Sequence, residues 1–363
     1  MLRRVDKKVA IEYLQGIMGS NKAMGLVAQT DFRNWVHSCG GNVESKFFSG
    51  CWVMSPKGST ASKRMCFFVH EKMETPDSLK SSVELLLANR GFHGLCGSLT
   101  RSGLGVFYCI PIGNPDIKDF DKINWALFSY QNEDLLQMDG EKFFSLWAGH
   151  GRAGVGKKWD EQVQERYEKM DPSLLEELAL NQIFYNSYFK RRMQKPAADP
   201  YDVDGFFVSY EGKIFPIEIK EKFPFEVNKL KLLGIDVGRM LMLFRICLPL
   251  NCNGLYIVRE VEDSAERKYV GWKMMTLDSM IMNCNLNLQA GGTGMTGGAT
   301  QTATFPYAAF TDLAPEVFSD ENLHNIGEFS RTIKEKADKF QNEVESFIKS
   351  AFVQNKKSQQ KLS

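Results

Sequence analysis

YDVDGFFVSYEGKIFPIEIKEK, residues 201–222, decides how this chain is read. GFFVSY and IFPIEIK flank a turn at EGK and spell a β-hairpin. Its charges sit oddly for a buried element: Asp202 and Asp204 open the first strand, and Glu218 and Lys220 lie within the second. A charge beside an apolar strand needs a partner, a metal ion or a bend into water. Strand side chains alternate, so Glu218 and Lys220 share one face while Ile217 and Ile219 point into the core. A hairpin folds its beginning beside the end of its partner strand, which brings Asp204 next to Glu218. Two carboxylates that close repel each other, and one keeps its proton unless a cation lies between them. Oxygen ligands with room for water suit Mg²⁺, which binds through one or two carboxylates plus substrate phosphate. Lys220 is then placed to orient the attacking water and to stabilise charge at phosphorus. Taken one residue at a time, the same pattern also describes a surface hairpin with a Glu–Lys pair.

The surrounding chain sets the frame. Its 363 residues are long enough for two domains, and 43% hydrophobic with 25% charged residues is ordinary for a soluble globular protein. No apolar run reaches the roughly 18–20 residues that span a bilayer, and the charged start MLRRVDKKVAIEYL is not secretory. Eight cysteines without close pairing read as reduced thiols in a cytoplasmic protein with no membrane partner. A net charge of +1 means that any nucleic-acid surface is local.

Along the chain, 5–17 reads as an amphipathic helix, 47–70 as strands, and 78–92 as a helix stopped by Gly91. GLGVFYCIPI and INWALFSY add two strands, and an α+β domain is expected to end at 149. Gly151 to Lys157 fits G-x-x-x-x-G-K, but Lys158 stands where a phosphate-binding loop needs Ser or Thr, so the segment reads as a linker. Asp171-Pro172 starts a long helix whose end is basic: Lys190, Arg191 and Arg192, then Lys195. These four are the candidate nucleic-acid contacts, although cations at a helix C-terminus also answer its dipole. After the hairpin, 227–250 reads as an apolar helix; Lys229, Lys231 and Arg239 are further candidate phosphate contacts, although for each one taken singly a solvated face is the stronger reading. GLYIVREVE is a strand, and the strand–helix–strand order predicts a parallel pair. The glycine-rich 290–304 reads as a loop.

Asp, then fourteen positions on Glu-hydrophobe-Lys, across a hairpin preceded by a helix, resembles the PD-(D/E)xK nuclease superfamily. The resemblance covers residues 160–280 and rests on DPYDVDGFFVSYEGKIFPIEIKEK. It implies an α/β restriction-endonuclease-like mixed sheet flanked by helices, here with an additional N-terminal α+β domain. The expected layout is 1–149 for that domain, 150–330 for the nuclease domain, and 331–363 for a C-terminal helix and tail. By the same resemblance Asp204, Glu218 and Lys220 are catalytic. Asp204, Glu218, the Ile219 carbonyl and a helix glutamate, Glu177 ahead of Glu176, Glu168 and Glu165, ligate Mg²⁺, with Mn²⁺ as a substitute. The implied activity is a restriction-type DNA endonuclease on double-stranded DNA. A repair or RNA-directed nuclease, or a non-catalytic binding protein with a nuclease-like core, is the alternative. Two departures stand out: Val203 replaces a proline before Asp204, and Pro216 interrupts the second strand, where proline belongs at a bulge or an edge.

The tail carries Ile333, Ala337, Phe340, Val344, Phe347 and Ala351, a heptad-like seam. It packs either on its own domain or against a second copy, and a homodimer would present two such sites to a duplex.

Overall fold

The structure is a computed structural model. It describes residues 6–54, 65–113, 120, 123–140, 143, 158–185, 201–263, 265–290 and 301–326, with single positions between 335 and 346. The chain opens with α1 (Lys7–Ile17), α2 (Ser20–Ser38) and the short α3 (Gly41–Glu44), followed by β1 (Phe47–Met54) and β2 (Met65–Val69). Next come α4 (Leu79–Ala88), α5 (Arg90–Arg101), β3 (Gly105–Ile112), β4 (Asn124–Gln131) and β5 (Asp134–Met138). Helices α6 (Glu161–Lys169) and α7 (Pro172–Ile183) lead to the hairpin, β6 (Tyr201–Val208) and β7 (Ile214–Lys222). A second hairpin, β8 (Phe225–Val227) and β9 (Leu230–Asp236), precedes α8 (Val237–Leu250), β10 (Leu255–Val261), β11 (Tyr269–Thr276) and α9 (Leu277–Asn283). β12 (Asn285–Ala290), β13 (Gln301–Pro306), β14 (Thr311–Asp312) and α10 (Asp320–Ile326) complete the described chain.

Ten strands form one mixed sheet in the order β14-β11-β10-β7-β6-β1-β2-β3-β4-β5, and β12-β13-β9-β8 form a smaller one. The expected α/β class and parallel pair are both present: β7 and β10 run parallel, joined through α8. Helices cover both faces. On one, α2 sets Ala28, Phe32 and Val36 on Phe207, Phe215, Ile217 and Ile219, while α1 and α7 pack on Trp52 and Phe67. On the other, α5 and α8 cover Cys51, Val53, Phe68, Phe206 and Tyr256. No helix of the described residues is long and apolar enough to cross a membrane.

The main sheet runs across the expected boundary at 149, which itself lies outside the described residues. β1 is hydrogen-bonded to β6, and α1 and α2 share a core with Tyr167, Leu175 and Ile183. Residues 20–54 and 201–261 are therefore woven together, with α2 and β1 packed directly on the hairpin.

Several local expectations change for identifiable reasons. Gly91 does not stop a helix: α4 ends at Ala88, and Asn89 caps the start of α5 by accepting hydrogen bonds from Gly91 N (3.0 Å) and Phe92 N (3.2 Å). Segment 227–250 is helical only from Val237. Asn228 and Lys229 adopt positive φ (51° and 67°), turning β8 into β9, and Asp236 caps α8 through Gly238 N (2.8 Å). Of 290–304, residues 301–304 belong to β13, while 291–300 lie outside the described residues. The helix from Pro172 is described to Ile183, with Asp171 as its N-cap. Pro216 sits in a central strand rather than at an edge. It lies opposite Phe206, and the β10 ladder begins only at Ile217, so no neighbouring strand asks for its missing N–H.

Candidate active site

The hairpin pairs Gly205 with Ile217, and there its ladder ends. One step further on, Asp204 takes over from the backbone: its Oδ2 accepts the Ile219 N–H at 2.6 Å. Its Oδ1 accepts from Gln29 Nε2 of α2, also at 2.6 Å. On the other side of β6, the ladder with β1 pairs Ser49 with Gly205 and Cys51 with Val203, passing over Gly50 and Asp204. A Cβ at Gly50 would overlap the Val203 carbonyl, so only glycine lets β1 come this close. Val203 and Phe206, three residues apart, both bury under α5 and α8. The two-residue alternation of β6 thus breaks at Asp204, which is what aims a carboxylate inward from an otherwise apolar strand.

Sequence reasoning placed Asp204, Glu218 and Lys220 together, and the structure brings them together. The Lys220 ammonium lies 2.5 Å from Glu218 Oε1 and 3.6 Å from Asp204 Oδ2, and it donates to the Ile219 carbonyl at 3.0 Å. Three oxygens from three residues thus face one cation. Both carboxylate side chains are almost wholly buried. Glu218 Oε1 makes an ion pair there without a well-directed hydrogen bond. Burial, and then the neighbouring Glu218, push the Asp204 carboxyl up to about 8. For Lys220, burial works against the charge, but Asp204 and Glu218 outweigh it and raise the ammonium above its usual range.

Asp202 lines the same cavity as Asp204 but belongs to a different pair. Arg239 of α8 bonds its carboxylate and its carbonyl (3.1 Å for the latter) and places Nε 3.8 Å from Glu218 Oε1. Burial opposes ionisation of Asp202, and Arg239 overcomes it, holding the carboxyl below its usual value. Arg239, read from the sequence as either a solvated cation or a phosphate contact, is instead spent on the site's own carboxylates.

Glu177 does not join the cluster around Lys220. It projects from α7 into the cavity that Asp204 and Gln29 also line, but its carboxylate is taken by Arg33 of α2 and by the Ser49 hydroxyl (3.2 Å). Arg33 also holds Glu71 at 3.1 Å. Glu165 is paired with Lys169 on the surface, and Glu168 accepts from Gln164. The helix over Asp204 is α2, and it offers Gln29 in place of a glutamate. α2 was missed because its stretch SNKAMGLVAQTDFRNWVHS mixes polar and apolar residues evenly. Gln29 and Arg33, four apart and hence on one face, were the signal that was available. Lys190, Arg191, Arg192 and Lys195 lie outside the described residues, as do the linker 151–157 and the seam residues of the tail.

Among the described residues no group of three or more His, Cys, Asp or Glu side chains forms a metal site. Two carboxylates and a carbonyl facing one cation are nevertheless a donor set that suits Mg²⁺, which keeps several waters and needs few protein ligands. The cavity beside Asp204, about 70 Å³, has space for several waters. Comparison with family models, curated proteins and solved structures finds no match to this chain.

Proposed function

We propose that this protein hydrolyses nucleic-acid phosphodiester bonds with Mg²⁺, as a restriction-type endonuclease of the PD-(D/E)xK kind acting on double-stranded DNA. The observation that carries the reading is the convergence of Asp204 Oδ2, Glu218 Oε1 and the Ile219 carbonyl on the Lys220 ammonium. These are the oxygens that the family resemblance assigns to a metal. Asp204 and Glu218 would hold the cation, with the Ile219 carbonyl beside them. When bound there, Mg²⁺ supplies positive charge to the attacked phosphate and the water that attacks it. Lys220, released from its contact with Glu218, orients that water and stabilises charge developing on the phosphate oxygens. Gln29 fixes the rotation of the Asp204 carboxylate, and Arg239 prevents Asp202 and Glu218 from repelling each other. Dimerisation would supply a second site for the second strand.

The deciding experiment incubates purified protein with plasmid, linear duplex and RNA, with Mg²⁺, Mn²⁺ or chelator. Cleavage of duplex DNA that needs the metal is expected, and Asp204→Ala, Glu218→Ala and Lys220→Ala should each lower it by several orders of magnitude while the fold persists. Preferred cutting of RNA would reassign the substrate. Full activity of Glu218→Ala would remove the site from consideration. A folded protein that binds DNA without ever cutting it would point to a nuclease-like binding module.

A further inference from the structure

A second cavity adjoins the first, and its chemistry is different. It measures about 280 Å³ and shares Arg33, Ser49 and Gly50 with the cavity that contains Asp204. Beyond that shared wall the lining turns aromatic. Phe68, Phe92 and Tyr108 are almost fully buried, with Phe92 edge-on to both Phe68 and Tyr108, so these walls are fixed rather than loop-borne. Half-buried Phe48 stands over Gly91, where even a Cβ would meet its ring. The polar groups sit at defined points. Asn89 turns its Oδ1 to the start of α5, which leaves its amide NH₂ as the outward donor end. His70 is held between the Tyr108 hydroxyl (2.9 Å) and Glu74 (3.2 Å), and burial lowers its pKa, so it brings no positive charge. Glu71 is half-exposed at the wall shared with Arg33.

Arg33, at the shared wall, is the only cation among the residues lining this second cavity, and it is already matched by Glu71 and Glu177. The interior is therefore unsuited to a phosphate. A rigid aromatic slot with a few donors and acceptors at its rim suits a flat, neutral heterocycle, because every nucleobase has a face to stack and an edge to hydrogen-bond. Gly50 lies opposite Asp204 and lines both cavities, so the slot opens beside the candidate cleavage point.

We propose that the second cavity receives one unstacked nucleobase of the strand whose backbone crosses Asp204 and Glu218. The inference rests on the nucleic-acid reading given above and narrows its substrate to a strand with a base turned out of the stack. Enzymes that extrude a base accept the cost of unstacking, which is least where the base is mismatched or already single-stranded.

The test is a scan of oligonucleotides, each lacking a single base at a different position, bound to the full chain in Ca²⁺ and followed by fluorescence anisotropy. Wild type should lose about tenfold in affinity when the base is missing at one position and little elsewhere. Leu86→Trp, which fills the slot, and Phe48→Ala, which removes its stacking wall, should both flatten that profile. Thermal melting shows whether each is folded, and Leu86→Trp leaves Phe48 in place. A wild-type protein that binds and cuts oligonucleotides with a flat scan overturns the base pocket alone. A folded Leu86→Trp that keeps the wild-type profile overturns it as well. A wild type that neither binds nor cuts any oligonucleotide overturns the nucleic-acid reading, and the pocket with it.

Discussion

Asp204 is where burial and charge meet most sharply. Its carboxyl is held up to about 8 by burial and by Glu218, whereas in an unfolded chain an aspartate titrates near 4. Between roughly pH 4 and that raised value the folded protein binds more protons than the unfolded one. Stability of the metal-free protein should therefore fall as pH rises through this window, by up to about 1.4 kcal/mol per pH unit from this group. Urea unfolding between about pH 5 and pH 8 measures the slope, and Asp204→Asn should flatten it. An unchanged slope in that variant would place the titration on another group. Arg239 makes a complementary case. Arg239→Ala leaves part-buried Asp202 without its partner and Glu218 with Lys220 alone, so a loss of up to about 3 kcal/mol is expected. Arg239→Lys can reach one carboxylate but cannot span both, and should recover only part of that loss.

The elements explain why the site was partly legible. Asp204, Glu218 and Lys220 could be found from the text because a hairpin is local: nine and eight residues of strand, a short turn, and a two-residue period fix who faces whom. Pro216 troubled that reading only because the text does not say where the neighbouring strand begins. Gln29 and Arg33 share a helix face, but they, Ser49 and Glu71 could not be tied to the site, since nothing local links α2, β1 and the stretch after β2 to the hairpin. The packing of α2 on the hairpin and the close approach of β1 to β6 at Gly50 bring them there. Gly50→Ala should push the strands apart at Asp204 and cost both stability and activity, whereas Gly41→Ala, with open space around it, should do neither. Activity that survives Gly50→Ala unchanged would mean that β1 does not set the carboxylate. The cap of α8 offers a milder test. Asp236→Ala removes acceptors from Gly238 N and Arg239 N, and should cost ~1 kcal/mol while loosening Arg239.

At the scale of the molecule, the main sheet and the core beneath α1 and α2 cross the expected division at 149. A fragment beginning at 150 would lack α2, β1 and half of the sheet. It should not fold, and the intact protein should unfold α2 and the hairpin in one transition, as hydrogen exchange can resolve. A stable, native-like 150–363 fragment would refute this. The same weave governs how the protein comes into being. Gln29 and Asp204 touch across 175 residues of chain. At about 5–20 residues per second, a ribosome needs roughly 10–35 s to make the second after the first. For that interval Ala28, Phe32 and Val36 of α2 have no hairpin to cover them, and the nascent chain exposes apolar side chains of the kind that chaperones shield. The carboxylates, the lysine and their supporting glutamine therefore meet only after residue 220 has been made, so a chain broken off before it cannot assemble the candidate site.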